Sequence, residues 1–201
     1  MKGRKTAIFG IFAVIAIAIL VIAAFWMQSR RGKTDPEPEV DVSQAAEILL
    51  RDIDKSYPPT PKELLKYYSE ITCCFYDEKL TEEQLEALAK RSYLLYDDEL
   101  KDSMPYEDYY ENLRKEVEAF RAQKLVVSGY SVSAATDVER FSEDGFEWAR
   151  LYAQYRLRQG TEYMYSNEVF IMRKDNVGHW KIYGFDLVKD EMAADDSAIG
   201  D

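Results

Sequence analysis

Apolar positions recur every three or four residues through the middle of the chain and every second residue through its last third. The first pattern predicts helices. Leu64, Tyr68, Ile71 and Phe75 share one face of a helix over 61–76. Leu85, Leu88, Ala89, Leu95 and Tyr96 do so over 82–97, and Tyr106, Tyr109, Tyr110, Leu113, Val117 and Phe120 over 105–122. A shorter stripe of Ala46, Leu49, Leu50 and Ile53 precedes Pro58 and Pro59, which end its helix. The pairs Asp41 and Gln44, Thr60 and Glu63, and Thr81 and Gln84 have capping-box spacing or close to it. Pro61 takes a first helical position, where its missing N–H costs nothing.

From Lys124 onward the period becomes two. A strand is expected over 125–134, rich in Val, Ser and Tyr. Over 146–158, Phe146, Trp148, Arg150 and Tyr152 fall on one face, and Ala149, Leu151, Ala153, Tyr155 and Leu157 on the other. Gly160 marks a tight turn into a strand over 161–173, and Lys174 to Gly178 reads as a hairpin loop before the last strand, 179–188. The polar stretch 135–145 reads as a loop. Short connections demand antiparallel neighbours. The expected domain, 43–188, is therefore α+β, with about four helices packed on one face of a curved four-stranded antiparallel sheet.

Ahead of it, residues 7–27 are 21 positions without a charge. As a helix this run reaches about 30 Å, the thickness of a bilayer's hydrocarbon core. It is longer than a signal-peptide core and lacks a small-x-small cleavage site, and Phe25 and Trp26 suit an interface. The expectation is an N-terminal transmembrane helix at 7–27 with the lipid bilayer as its partner. A basic tail at 1–6 precedes it, and a linker at 28–42, basic and then acidic with Pro36 and Pro38, follows. Residues 189–201 are acidic, small and patternless, and read as a disordered tail.

Charge divides the chain in two. Residues 1–33 carry six bases and no acid, and the remainder carries 20 bases and 37 acids, a charge of −17. The positive-inside rule leans toward a single-pass plasma-membrane protein with its bulk extracytoplasmic. A body of that charge repels nucleic acid, which removes this class of partner. One histidine and two cysteines are too few for a zinc site of His/Cys type.

The run Val-Phe-Ile-Met-Arg-Lys-Asp-Asn-Val-Gly-His-Trp-Lys-Ile-Tyr-Gly-Phe at 169–185 resembles the closing hairpin of nuclear-transport-factor-two-like (SnoaL-like) domains. That resemblance implies a cystatin-like fold. Unlike typical members, all helices here precede all strands. The whole chain is also similar to uncharacterised single-pass membrane proteins of clostridial-type Gram-positive bacteria, classed only as a domain of unknown function. The matching features are the apolar N-terminal run, Leu-Thr-Glu-Glu-Gln-Leu at 80–85, Met-Pro-Tyr-Glu at 104–107 and the ending just quoted. No activity is implied by it.

Candidate chemistry is sparse. Cys73 and Cys74 are adjacent in a helix, where packing is the expected role. His179 stands alone at a hairpin, and the acidic clusters lack calcium-loop spacing. Arg150 and Arg156 share an alternation face with Trp148 and Tyr152 and could anchor an anionic ligand; the alternative is cross-strand pairing with Glu162 or Glu168. Together with Trp180 these are the candidate pocket residues. No catalytic set, metal site or cofactor is indicated. The favoured reading is a non-catalytic binding or interaction module, whose partner is a small molecule, a peptide or an envelope protein. One alternative is a ketosteroid-isomerase-like enzyme or ligand pocket, which needs a buried carboxyl near a tyrosine hydroxyl in an enclosed apolar hollow. The other is a structural subunit of an envelope complex.

Overall fold

The computed structural model describes residues 43–77 and 79–188. Five helices come first: α1 (Gln44–Leu50), α2 (Pro61–Asp77), α3 (Glu82–Tyr93), α4 (Asp98–Ser103) and α5 (Tyr106–Gln123). Five strands follow: β1 (Leu125–Val132), β2 (Glu139–Glu143), β3 (Phe146–Gln159), β4 (Glu162–Lys174) and β5 (Trp180–Leu187). Every strand pairing is antiparallel, in the order β1-β3-β4-β5, and β2 lies end to end with β1 along the same side of β3.

Local chemistry accounts for the element ends. Thr81 and Gln84 close a reciprocal capping box on α3. The Thr60 hydroxyl accepts the Glu63 N–H at 3.2 Å. Asp144 and Gly145 both take positive φ and make the two-residue turn between β2 and β3, the conformation that a tight hairpin requires. Asp175 accepts the N–H groups of Val177 and His179 in the β4–β5 loop, as a hairpin loop there was expected to allow.

Of the two alternation faces of β3, the one that turns inward is Ala149, Leu151, Ala153, Tyr155 and Leu157, all buried. They pack with Phe170, Met172 and Ile182 of the sheet against Leu64, Leu65 and Ile71 of α2, Leu88 of α3 and Val117 of α5.

The expected architecture is corrected at four points. The sheet has five strands, not four, because β2 occupies what read as a loop; all five of its residues are exposed, so no apolar alternation betrays it. The helix expected over 82–97 ends at Tyr93. Leu95 to Asp97 instead run beside β5, with Asp97 N–H bonding to Ile182 O and Ile182 N–H to Leu95 O, and Asp97 then caps the extra helix α4. On α1 the buried positions are Ala45 and Ile48, whereas Leu50 is 85% exposed, so the stripe is displaced by one residue. Finally, among the described residues no helix is long and apolar enough to cross a membrane. The architecture described therefore contains no N-terminal transmembrane helix. Residues 7–27, expected to form one, lie outside the described residues, as do the Asp41 cap, the linker at 28–42 and the tail at 189–201.

Candidate functional site

The five residues singled out from the sequence are not brought together. Trp148, Arg150, Tyr152 and Arg156 stand on the outer face of β3, away from the helices, while Trp180 is buried on β5. Arg150 pairs with Glu139 of β2 at 3.1 Å. Arg156 bonds to Ser128 and lies over the Tyr163 ring. Trp148 stacks with Phe141 and meets Tyr183 edge-on. His179 is exposed and stacks on Tyr57. Cys73 and Cys74 are both buried in α2, and burial pushes the Cys73 thiol up to about 12.

The concave feature lies on the opposite face of the sheet. Helices α2 and α5 arch over the inner side of β3 and β4 without filling it. A cavity of about 310 Å³ remains, at the lower edge of the range for small-molecule sites. Register bears on the space: on the inner face Ser166 lies opposite Tyr155, and its short side chain lines part of the floor. From α2 come Tyr68, Thr72, Phe75 and Tyr76; from α5 come Tyr109, Leu113, Glu116 and Phe120, spaced as one helical face.

Two carboxyls face this space. The Tyr76 hydroxyl donates to Glu116 Oε2 at 2.8 Å. Burial pushes the Glu116 carboxyl above its usual range, and the Tyr76 bond partly offsets that. Glu168 is pushed up to about 7, by burial first and by the charge of Glu116 second. Desolvation and a like charge both favour the neutral acid. Both residues keep some exposed surface because the cavity admits solvent-sized molecules.

Around them runs a set of tyrosine hydroxyls. Tyr68 and Tyr96 are 3.1 Å apart through their oxygens, Tyr109 meets Ser92 at 2.5 Å, and Tyr155 meets Ser69 at 3.0 Å. Burial raises the pKa of each of these four tyrosines well above the ordinary value, so they remain neutral donors. Among the described residues no group of three or more His, Cys, Asp or Glu side chains is placed to hold a metal ion.

The sequence over residues 1–185 matches the family model described as "Domain of unknown function (DUF6715)". The chain belongs to this family. No curated protein matches the sequence. The expected membership of an uncharacterised domain family is thus established at that level, and the DUF6715 match brings no activity with it.

Neither carboxyl of the DUF6715 cavity was singled out as a site residue from the sequence; Glu168 entered only as a cross-strand partner for arginine. Both carry a signal nonetheless. Glu168 shares its alternation with Phe170 and Met172, both buried, and Glu116 follows Leu113 by three and precedes Phe120 by four. An acid on an apolar stripe is the observation that locates the site.

Proposed function

We propose that this domain is a small-molecule binding module that receives an apolar-bodied ligand between α2, α5 and the inner face of the sheet. The observation that carries the reading is the cavity of about 310 Å³ with Glu116, Glu168 and tyrosine hydroxyls on its walls. An apolar hollow with a few convergent polar groups and a displaced carboxyl titration is the general form of a ligand site. The likeness of the closing hairpin to nuclear-transport-factor-two-like domains favours the same reading. Titrating the full chain with the neutral dye Nile red tests it. Saturable one-site binding that Ser166→Phe abolishes, at an unchanged melting temperature, is the expected result. Binding that does not saturate, or that ignores the filled cavity, sinks the reading.

A second reading has one observation in its favour. A carboxyl that titrates near neutral pH beside neutral tyrosine donors has the parts of a general acid–base pair. It would act on a ligand already held in the same cavity.

A further inference from the structure

The charge lining the cavity is of one sign. Among the described residues on its walls, Glu116 and Glu168 are the charged side chains, and none is lysine, arginine or histidine. Aromatic rings make up much of the remainder, with Tyr68, Phe75 and Tyr76 on one side, Tyr109 and Phe120 on the other, and Tyr155 below. Carboxyls set within an aromatic wall attract a desolvated cation twice over, through the acids and through the ring quadrupoles. An anion would meet like charge with no counter-ion. A neutral ligand would leave Glu168 dehydrated and without a counter-ion, and Glu116 with the Tyr76 hydroxyl for a partner. A hard divalent ion wants about six oxygen ligands, more than two carboxyls supply.

We propose that the cavity selects an organic monocation, an ammonium group on a short apolar body, with the charge held by Glu116 and Glu168 and the body against the tyrosine rings. This rests on the ligand-cavity reading above and adds the sign of the ligand's charge.

A consequence follows for proton linkage. The titratable groups that share the cavity wall with Glu168 are Glu116 and Tyr109 of α5, Tyr68 and Tyr76 of α2, Tyr155 of β3, Tyr165 of β4, and Tyr96 from the segment beside β5. The described wall residues of β1 and β5, Leu125, Val127, Phe185 and Leu187, carry no charge. Burial raises the pKa of Tyr68, Tyr76, Tyr96, Tyr109 and Tyr155, so these stay neutral while the carboxyls titrate. The empty site holds a proton that an arriving cation displaces, and cation binding tightens as pH rises through about 7.

The test is calorimetric titration of the full chain with octylammonium, 1-octanol and octanoate, three probes of one length and different charge. At pH 8 octylammonium is expected to bind about tenfold tighter than octanol, with octanoate weakest, and its own affinity to fall about tenfold at pH 6. Glu168→Gln, and separately Glu116→Gln, should erase the preference for ammonium while octanol affinity persists. Octanol or octanoate binding as tightly as octylammonium at pH 8, in a protein that still takes up Nile red, overturns the cation inference and leaves the cavity reading standing. If neither the three probes nor Nile red binds, both fall.

Discussion

Two acids in this molecule have opposite fates. Asp97 is 4% exposed and is gripped by Arg173, whose Nη2 and Nε reach its two carboxylate oxygens at 2.5 and 3.0 Å. The same guanidinium bonds Glu99 at 2.7 Å and lies over the rings of Phe146, Trp148 and Tyr183. Each nitrogen of that guanidinium has a carboxylate partner within the fold. Glu168 is half-buried on the cavity wall, yet its charged neighbour is another acid, Glu116. The first arrangement is a closed structural clamp; the second leaves an electrostatic demand that the described protein does not meet. Burial alone does not separate the two acids, and the sign of the neighbour does.

The largest expected effect breaks the clamp. Arg173→Met leaves Asp97 buried and unpaired, which should destabilise the domain by about 3–5 kcal/mol in urea unfolding. Adding Asp97→Asn should recover part of the loss. A single variant as stable as the parent would refute the view that the pair is a desolvated clamp.

The second effect has the opposite sign. The folded domain holds the Glu168 proton at about 7, against 4.5 for a free glutamate. The folded state therefore binds that proton more tightly than the unfolded chain. Stability is lost as pH rises from about 4.5 to about 7 and is level beyond that. Glu168→Gln removes the penalty and should stabilise the domain by about 3 kcal/mol at pH 8, with little change at pH 4. A Gln variant less stable at pH 8 would show that the carboxylate is paired after all.

The smallest effect concerns the outer face. Arg150 and Glu139 form an ion pair with both side chains well exposed. Arg150→Ala should cost less than about 0.5 kcal/mol and leave Nile red uptake unchanged. A clear loss of either would move functional weight to the outer face, where the sequence reading had placed it.

That misplacement has a physical reason. Strict alternation along β3 was legible, and with it the two faces of the strand. Alternation says which residues travel together, but which face turns inward depends on what covers it. Trp148 and Tyr152 looked core-like by type, yet Ala149, Leu151 and Ala153 are the set that α2 covers, and Tyr152 remains 40% exposed. The helix stripes on α2, α3 and α5 and the hairpin around Asp175 were equally legible because each is decided by residues close in sequence. Leu95 and Tyr96 extended the α3 stripe plausibly, but they are buried through contact with β5, a long-range pairing that no local period encodes. Strand β2 has no inward face, so only the Asp144–Gly145 turn announced it. The cavity was least visible of all, since it is a property of what α2 and α5 fail to fill. Its two acids could be found only by treating a charge on an apolar stripe as an anomaly.

The backbone bonds that Leu95 and Asp97 make with Ile182 act as a hem along the outer margin of β5. A bare sheet margin is a template on which further copies of a chain can add themselves without limit. Here the stitching belongs to the same short segment that anchors Arg173. The segment that organises charge inside one molecule thereby closes the margin of β5 at Ile182 to a further strand.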